Sequence, residues 1–136
     1  MATINYQAKD FFTYAFTFTA LAPGTSAVQN VVMQADSDFI LQKLTYGSDI
    51  AGGALTDSTR IIPLCTIVII DSGSGRQSMN AAADLTTLFG TGEIPFILPQ
   101  PKVFLANSNV SVTLANISAA TTYNIRLSFI GMVGFR

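Results

Sequence analysis

The nine residues Phe12–Ala20, FTYAFTFTA, alternate without a break. Phe12, Tyr14, Phe16 and Phe18 take one set of positions; Thr13, Ala15, Thr17 and Thr19 take the other. A period of two is that of a β-strand, whose successive side chains leave opposite faces of the sheet. A helix would split the four rings between two opposed sides. The stretch therefore predicts a half-buried strand with an aromatic core face and a threonine-rich outer face.

The same signal recurs on both sides of it. AVQNVVMQA from residue 27 is extended in character, and DFILQKLTYG from residue 38 reads as a strand ended by Gly47. IIPLCTIVIID, residues 61–71, is apolar on both faces, like a central strand, with Pro63 suited to its start or to a bulge. NVSVTLAN, residues 109–116, sets Val110, Val112 and Leu114 against Ser111, Thr113 and Ala115. TYNIRLSFIG, residues 122–131, sets Tyr123, Ile125, Leu127 and Phe129 against Asn124, Arg126, Ser128 and Ile130. Between them, PFIL and KVFLA flank PQP; prolines donate no ladder hydrogen bond, so two short strands joined by a rigid extended corner are expected there. Turn-forming clusters such as APGTS, DSGSG and ANSN separate the runs. One helical candidate stands out, Asn80–Gly90, with Asn80 as cap, Gly90 as terminator and Leu85, Leu88 and Phe89 inward; a structureless loop is the competing reading.

About eight short strands with long connections at 47–60 and 71–95 predict an all-β, antiparallel two-sheet sandwich. A jelly roll suits connections that cross between sheets. An immunoglobulin-like sandwich is the alternative, and its usual markers are missing, since the chain has no Trp and a single Cys. The expected organisation is an N-terminal arm over residues 1–10 and a single domain over 11–136.

Charge is scarce. The 136 residues hold seven Lys and Arg, eight Asp and Glu and no His, for a net charge of −1. The mass scaling for monomers predicts about 6,900 Å² of surface, roughly one charge per 460 Å². That is sparse for a domain living alone in solution. Ser, Thr, Asn and apolar side chains must cover the exterior, and such an exterior associates.

The same inventory removes most chemistry. Without histidine there is no Ser–His–Asp or Cys–His constellation and no imidazole metal site. One thiol, Cys65, allows neither an internal disulfide nor a cysteine zinc site, and its place in IIPLCTIVII marks it as a buried small hydrophobe. The acids are scattered. Asp36 and Asp38 lack the spacing of a calcium loop and read as turn formers. DSGSGR lacks the lysine-Ser/Thr ending of a phosphate loop. Asn109-Val-Ser111 and Asn116-Ile-Ser118 match a glycosylation sequon, which the composition produces by chance. Seven scattered basic residues form no stripe for nucleic acid. No window approaches the length of a membrane span, and no secretory signal is visible at MATINYQAKD, so a cytoplasmic site of synthesis is expected. The expectation is a non-enzyme with no catalytic residue, metal, cofactor or small-molecule substrate.

Leu88–Gly131, LFGTGEIPFILPQPKVFLANSNVSVTLANISAATTYNIRLSFIG, carries four features together. They are a P-F-x-L-P corner, an F-x-A-N-S turn, an alternating strand closing on N-x-S and a final Y-N-x-R-L-x-F-I-G strand. In these it resembles the jelly-roll capsid cement (decoration) proteins of tailed bacteriophages, of the Bordetella-phage-like podovirus type. The resemblance implies a virion structural protein, assembled in the host cytoplasm, that binds the outer surface of an icosahedral capsid and bridges major capsid protein subunits. It implies two partners, the major capsid protein and further copies of the chain itself, a dimer ahead of a trimer, with no nucleic acid and no membrane. A carbohydrate-binding jelly-roll module on a phage tail or virion surface is the alternative, with Tyr46 and Tyr123 as its stacking platforms.

Candidate interface residues follow from where apolar groups are presented. Ile4 and Tyr6 would anchor the N-terminal arm on a neighbour; a frayed terminus is the other reading. Phe96, Ile97, Pro99 and Pro101 form a preorganised corner, and Phe104 beside them reads as core. Phe135 in the closing GMVGFR either docks on a partner or finishes the last strand. The loop from Asp49 to Arg60 is a further candidate contact.

Overall fold

The computed structural model describes residues 5–51, 60–72 and 76–135. Its elements, in order, are β1 (Ala8–Leu21), β2 (Ser26–Val32), β3 (Asp38–Ile50), β4 (Cys65–Asp71), β5 (Arg76–Gln77), β6 (Ala83–Asp84), α1 (Leu85–Leu88), β7 (Phe96–Phe104), β8 (Asn109–Asn116) and β9 (Tyr123–Phe135). The strands form two antiparallel sheets. One runs β1-β9-β3-β7; the other runs β2-β8-β4-β5, with β6 also on β4. Since β5 and β6 share one edge of β4, both sheets are four positions wide. Successive long strands switch sheets, giving the jelly-roll order.

Alternation decides which side chains fill the space between the sheets. In β1 it is the aromatic set, with Tyr14, Phe16 and Phe18 buried and Phe12 packed against them. β9 contributes Tyr123, Ile125, Leu127, Phe129 and Val133; β8 contributes Val110, Val112 and Leu114; β4 contributes Cys65, Ile67 and Ile69. At the centre Phe129 lies 4.8 Å from Phe16 and 6.5 Å from Phe104, which stacks on Phe39 at 6.4 Å. Such ring pairs add roughly 0.5–1.5 kcal/mol each beyond the area they bury.

β3 would not fit this core under simple alternation. Phe39 and Leu41 face inward at odd positions, and Leu44 faces inward at an even one. The parity changes at Gln42. Leu41 pairs with Gly131 and Lys43 with Ile130, so Gln42 is an extra residue in β3. One inserted residue moves every later side chain to the other face, which keeps Lys43 outside and Leu44 inside.

The PQP stretch corrects the expected corner between two short strands. Phe96–Phe104 is one strand at the edge of its sheet, and it bows away from β3 in the middle. Ile97 pairs with Lys43 and Lys102 with Leu41, so residues 98–101 stand opposite Gln42 alone. Pro99 and Pro101 are exposed within this bulge. An edge bulge is where prolines belong, because no neighbouring strand needs their N–H groups.

The helix expectation is also corrected. Only Leu85–Leu88 is helical, and its cap position is Asp84, not Asn80. Leu85 and Phe89 are buried, as their spacing suggested. Gly90 ends the turn because the chain folds back there, and a Cβ would strike the Ile94 carbonyl.

Candidate assembly surface

The registers align apolar residues on the outside of the β1-β9-β3-β7 sheet. Phe11 pairs with Met132, Met132 with Ile40, and Ile40 with Val103. These four cross all four strands as one row. Beside it runs Thr13–Ile130–Lys43–Ile97. Phe11 is 74% exposed and Ile97 64%, Met132 and Val103 are half-buried, and Ile40 keeps 8% of its surface. The outer face of an antiparallel sheet is ordinarily the polar one. An apolar row there is the kind of surface another protein covers.

A second apolar group sits at the other end of the sandwich. Leu64 and Ile117 are half-exposed and joined by a hydrogen bond from the Ile117 N–H to the Leu64 carbonyl. The Leu64 N–H donates to the Tyr123 hydroxyl at the start of β9. Met132 lies nine residues along that strand, so the two groups stand ~30 Å apart at the ordinary strand rise. The outer face of the β2-β8-β4 sheet is uncharged: Val28, Thr113 and Val68 form one row, and Asn30, Ser111 and Ile70 the next.

The residues singled out from the sequence fare unequally. Ile4 lies outside the described residues. Tyr6 is half-buried on its own domain: its hydroxyl donates to Asp38 Oδ2 at 3.1 Å, its ring covers Gly134, and the neighbouring Gln7 N–H donates to the Phe135 carbonyl. β1 already begins at Ala8, inside the segment expected to be an arm. Phe96 packs partly against the core opposite Leu44. Ile97, Pro99 and Pro101 are exposed together on the β7 edge. Phe135 finishes β9 opposite Ala8 and packs on the core. Tyr123 is buried and offers no ring face to a sugar, while Tyr46 packs against the core. Of the Asp49–Arg60 loop, residues 52–59 lie outside the described residues, as do 73–75 of DSGSGR.

Asp49 itself is anchored. It is buried, and it accepts hydrogen bonds from Arg126 Nη2 at 2.7 Å and Asn124 Nδ2 at 3.2 Å. Burial alone would raise its carboxyl. The Arg126 and Asn124 bonds and the positive charges of Arg126 and Arg60 outweigh that and hold it below 3.8. Asp38 accepts from Tyr6 and, through Oδ1, from the Ala106 N–H at 2.9 Å. Among the described residues no three His, Cys, Asp or Glu converge to hold a metal ion.

Two motifs of the resemblance have plain structural roles. In F-x-A-N-S, Asn107 takes a φ of +64°, which asparagine tolerates, and the Ser108 N–H and hydroxyl both return to the Leu105 carbonyl. This turn carries the chain from one sheet to the other. In N-x-S, the Asn116 side chain is buried. Its Nδ2 donates to the carbonyls of Leu21 and Thr121, and its Oδ1 accepts from the N–H and hydroxyl of Ser118. The sequon is therefore a clamp between two turns.

Sequence reading missed Phe11, Ile40, Val103 and Met132. The available signal was failed alternation, two adjacent Phe at 11–12 and apolar residues at both parities in FIL and IGMVGF. No protein-family model matches the chain, and no curated protein matches it.

Proposed function

We propose that this chain is a non-enzymatic virion structural subunit. It seats on the outside of an icosahedral phage capsid and stabilises it by bridging neighbouring major capsid protein subunits. The observation that carries this reading is the apolar row Phe11–Met132–Ile40–Val103 on an exterior poor in charge. A specific interface takes about 800 Å² from each partner, and its centre is depleted of charge. The second group at Leu64 and Ile117 suits a bridge, since one subunit then touches two neighbours from opposite ends. Contacts that are individually weak hold firmly when geometry engages them together.

The test is mechanical. Particles assembled with and without the subunit are heated while released DNA is followed by dye fluorescence. Particles lacking it are expected to leak at lower temperature, and coincident release curves would refute reinforcement. A glycan array is the counter-test, since specific sugar binding would favour the carbohydrate module instead.

A further inference from the structure

We infer that the chain pairs with a second copy of itself through the edge of β1 that no described strand occupies, in antiparallel register, so that two four-stranded sheets become one of eight strands. This rests on reading the chain as a multi-copy assembly subunit, and it names the surface by which copies meet.

A sandwich has two open sides, and here they are treated differently. On one side the β7 edge carries the exposed Pro99–Pro101 bulge, and the β4 edge is covered by β5 and β6. Prolines, bulges and short covering strands are how natural sheets prevent edge-to-edge pairing. On the other side stand β1 and β2. From Phe11 to Leu21, β1 has no charge and no proline, and β2, SAVQNVV, has neither. Apart from Lys9 and Asp10 at its start, the β1 edge carries none of these devices through Phe18, and such a stretch is a template for another strand.

The geometry of β1 suits pairing with its own copy. Its register with β9 is unbroken from Ala8 to Phe18, and the shift before Leu21, with Ala20 at a φ of +53°, ends the straight part. Eleven residues at the usual rise span ~37 Å. With two sheets ~10 Å apart and side chains on both outer faces, an edge ~20 Å wide gives roughly 700 Å² per partner. That is close to the ~800 Å² of a stable interface. The midpoint of the straight part is Thr13. A two-fold axis there places Thr13 against Thr13, Phe11 against Ala15 and Phe12 against Tyr14 of the other copy. The only charges on the strand, Lys9 and Asp10, meet no like charge in this register. Threonine pairs and aromatic pairs across strands are favourable.

Analytical ultracentrifugation of the full chain should show a concentration-dependent dimer. Thr13→Cys should oxidise to a disulfide-linked dimer, because Cys65 is buried and does not compete. Thr113→Cys, on the outside of the other sheet, should not cross-link. Thr13→Lys sets two positive charges face to face and should weaken association by about tenfold or more. Mixing it with Thr13→Glu should restore pairing, and circular dichroism verifies that both variants fold. A chain that stays monomeric at every concentration overturns the inference, as does a dimer that neither cross-links at Thr13 nor responds to Thr13→Lys. Folded, monomeric Thr13→Lys that still binds shells supports β1 pairing and leaves the capsid reading intact. Dimers that never bind shells sink the capsid reading alone.

Discussion

Two ionisable side chains respond to the fold in opposite directions, and each gives a pH signature. The Asp49 carboxyl is held below 3.8: burial pushes it up, and Arg126, Asn124 and the Arg60 charge pull it down further. An unfolded aspartate titrates near 3.9, so the unfolded chain takes up this proton first. The stabilisation is present above about pH 4 and is lost as pH falls through the lower folded value. Asp49→Asn should therefore unfold with a flatter acid dependence than the parent in chemical denaturation between pH 5 and pH 2, and equal slopes would discard this assignment. Cys65 behaves oppositely. Burial first, then the negative charge of Asp84, lifts its thiol from 9.0 to about 11. The folded state keeps the proton longer, so this contribution is complete below about pH 8.5 and is lost as pH rises toward about 11. At pH 8 a disulfide-exchange reagent should label Cys65 only after denaturant is added, and Cys65→Ala should lose the alkaline slope.

At the scale of the element, the strands were legible and their interruptions were not. Phe12 to Phe18, Val110 to Leu114 and Tyr123 to Phe129 declare their inward faces because a period of two needs only local sequence. The Gln42 bulge is invisible locally, since its reason is the parity demanded by Phe129 on β9 and Phe96 on β7, far away in the chain. The prolines misled for a related cause: they forbid pairing on one side, and only the sheet order shows that β7 has a free side to offer. Gly131 is the counterpart of that bulge. A Cβ there would run into the Ile40 carbonyl and come within 3.2 Å of the Leu41 Cα, on a strand paired on both sides. Gly131→Ala should cost on the order of 2–4 kcal/mol, as overpacking against backbone does, read as a lower denaturant midpoint. Asn116→Ala should cost a similar amount, roughly 2–4 kcal/mol, because it strips hydrogen bonds from the carbonyls of Leu21 and Thr121 in a buried clamp. A glycosylation sequon without that structural role would tolerate the change.

For the whole molecule, composition foresaw an exterior short of charge, and the fold decides where its apolar part gathers. Phe11, Ile40, Val103 and Met132 come from four separated segments, so no window of sequence contains the row they form. The exposure of Ile97, Pro99 and Pro101 was legible because one short stretch holds all three. The same separation lets stability and assembly be tested apart. Phe104 is fully buried among Phe39 and Phe129, and Phe104→Ala should cost about 3–5 kcal/mol by transfer and cavity terms together. Phe11 presents most of its ring to solvent, and Phe11→Glu should change stability by no more than about 0.5 kcal/mol. In co-sedimentation with capsid shells the expectation reverses. The Phe11→Glu chain should stay in the supernatant although its thermal unfolding matches the parent, because a carboxylate set into an apolar contact must give up its water without a partner. Should Phe11→Glu pellet with shells as well as the parent does, the outer row is not the seat, and the Leu64–Ile117 end becomes the surface to alter next.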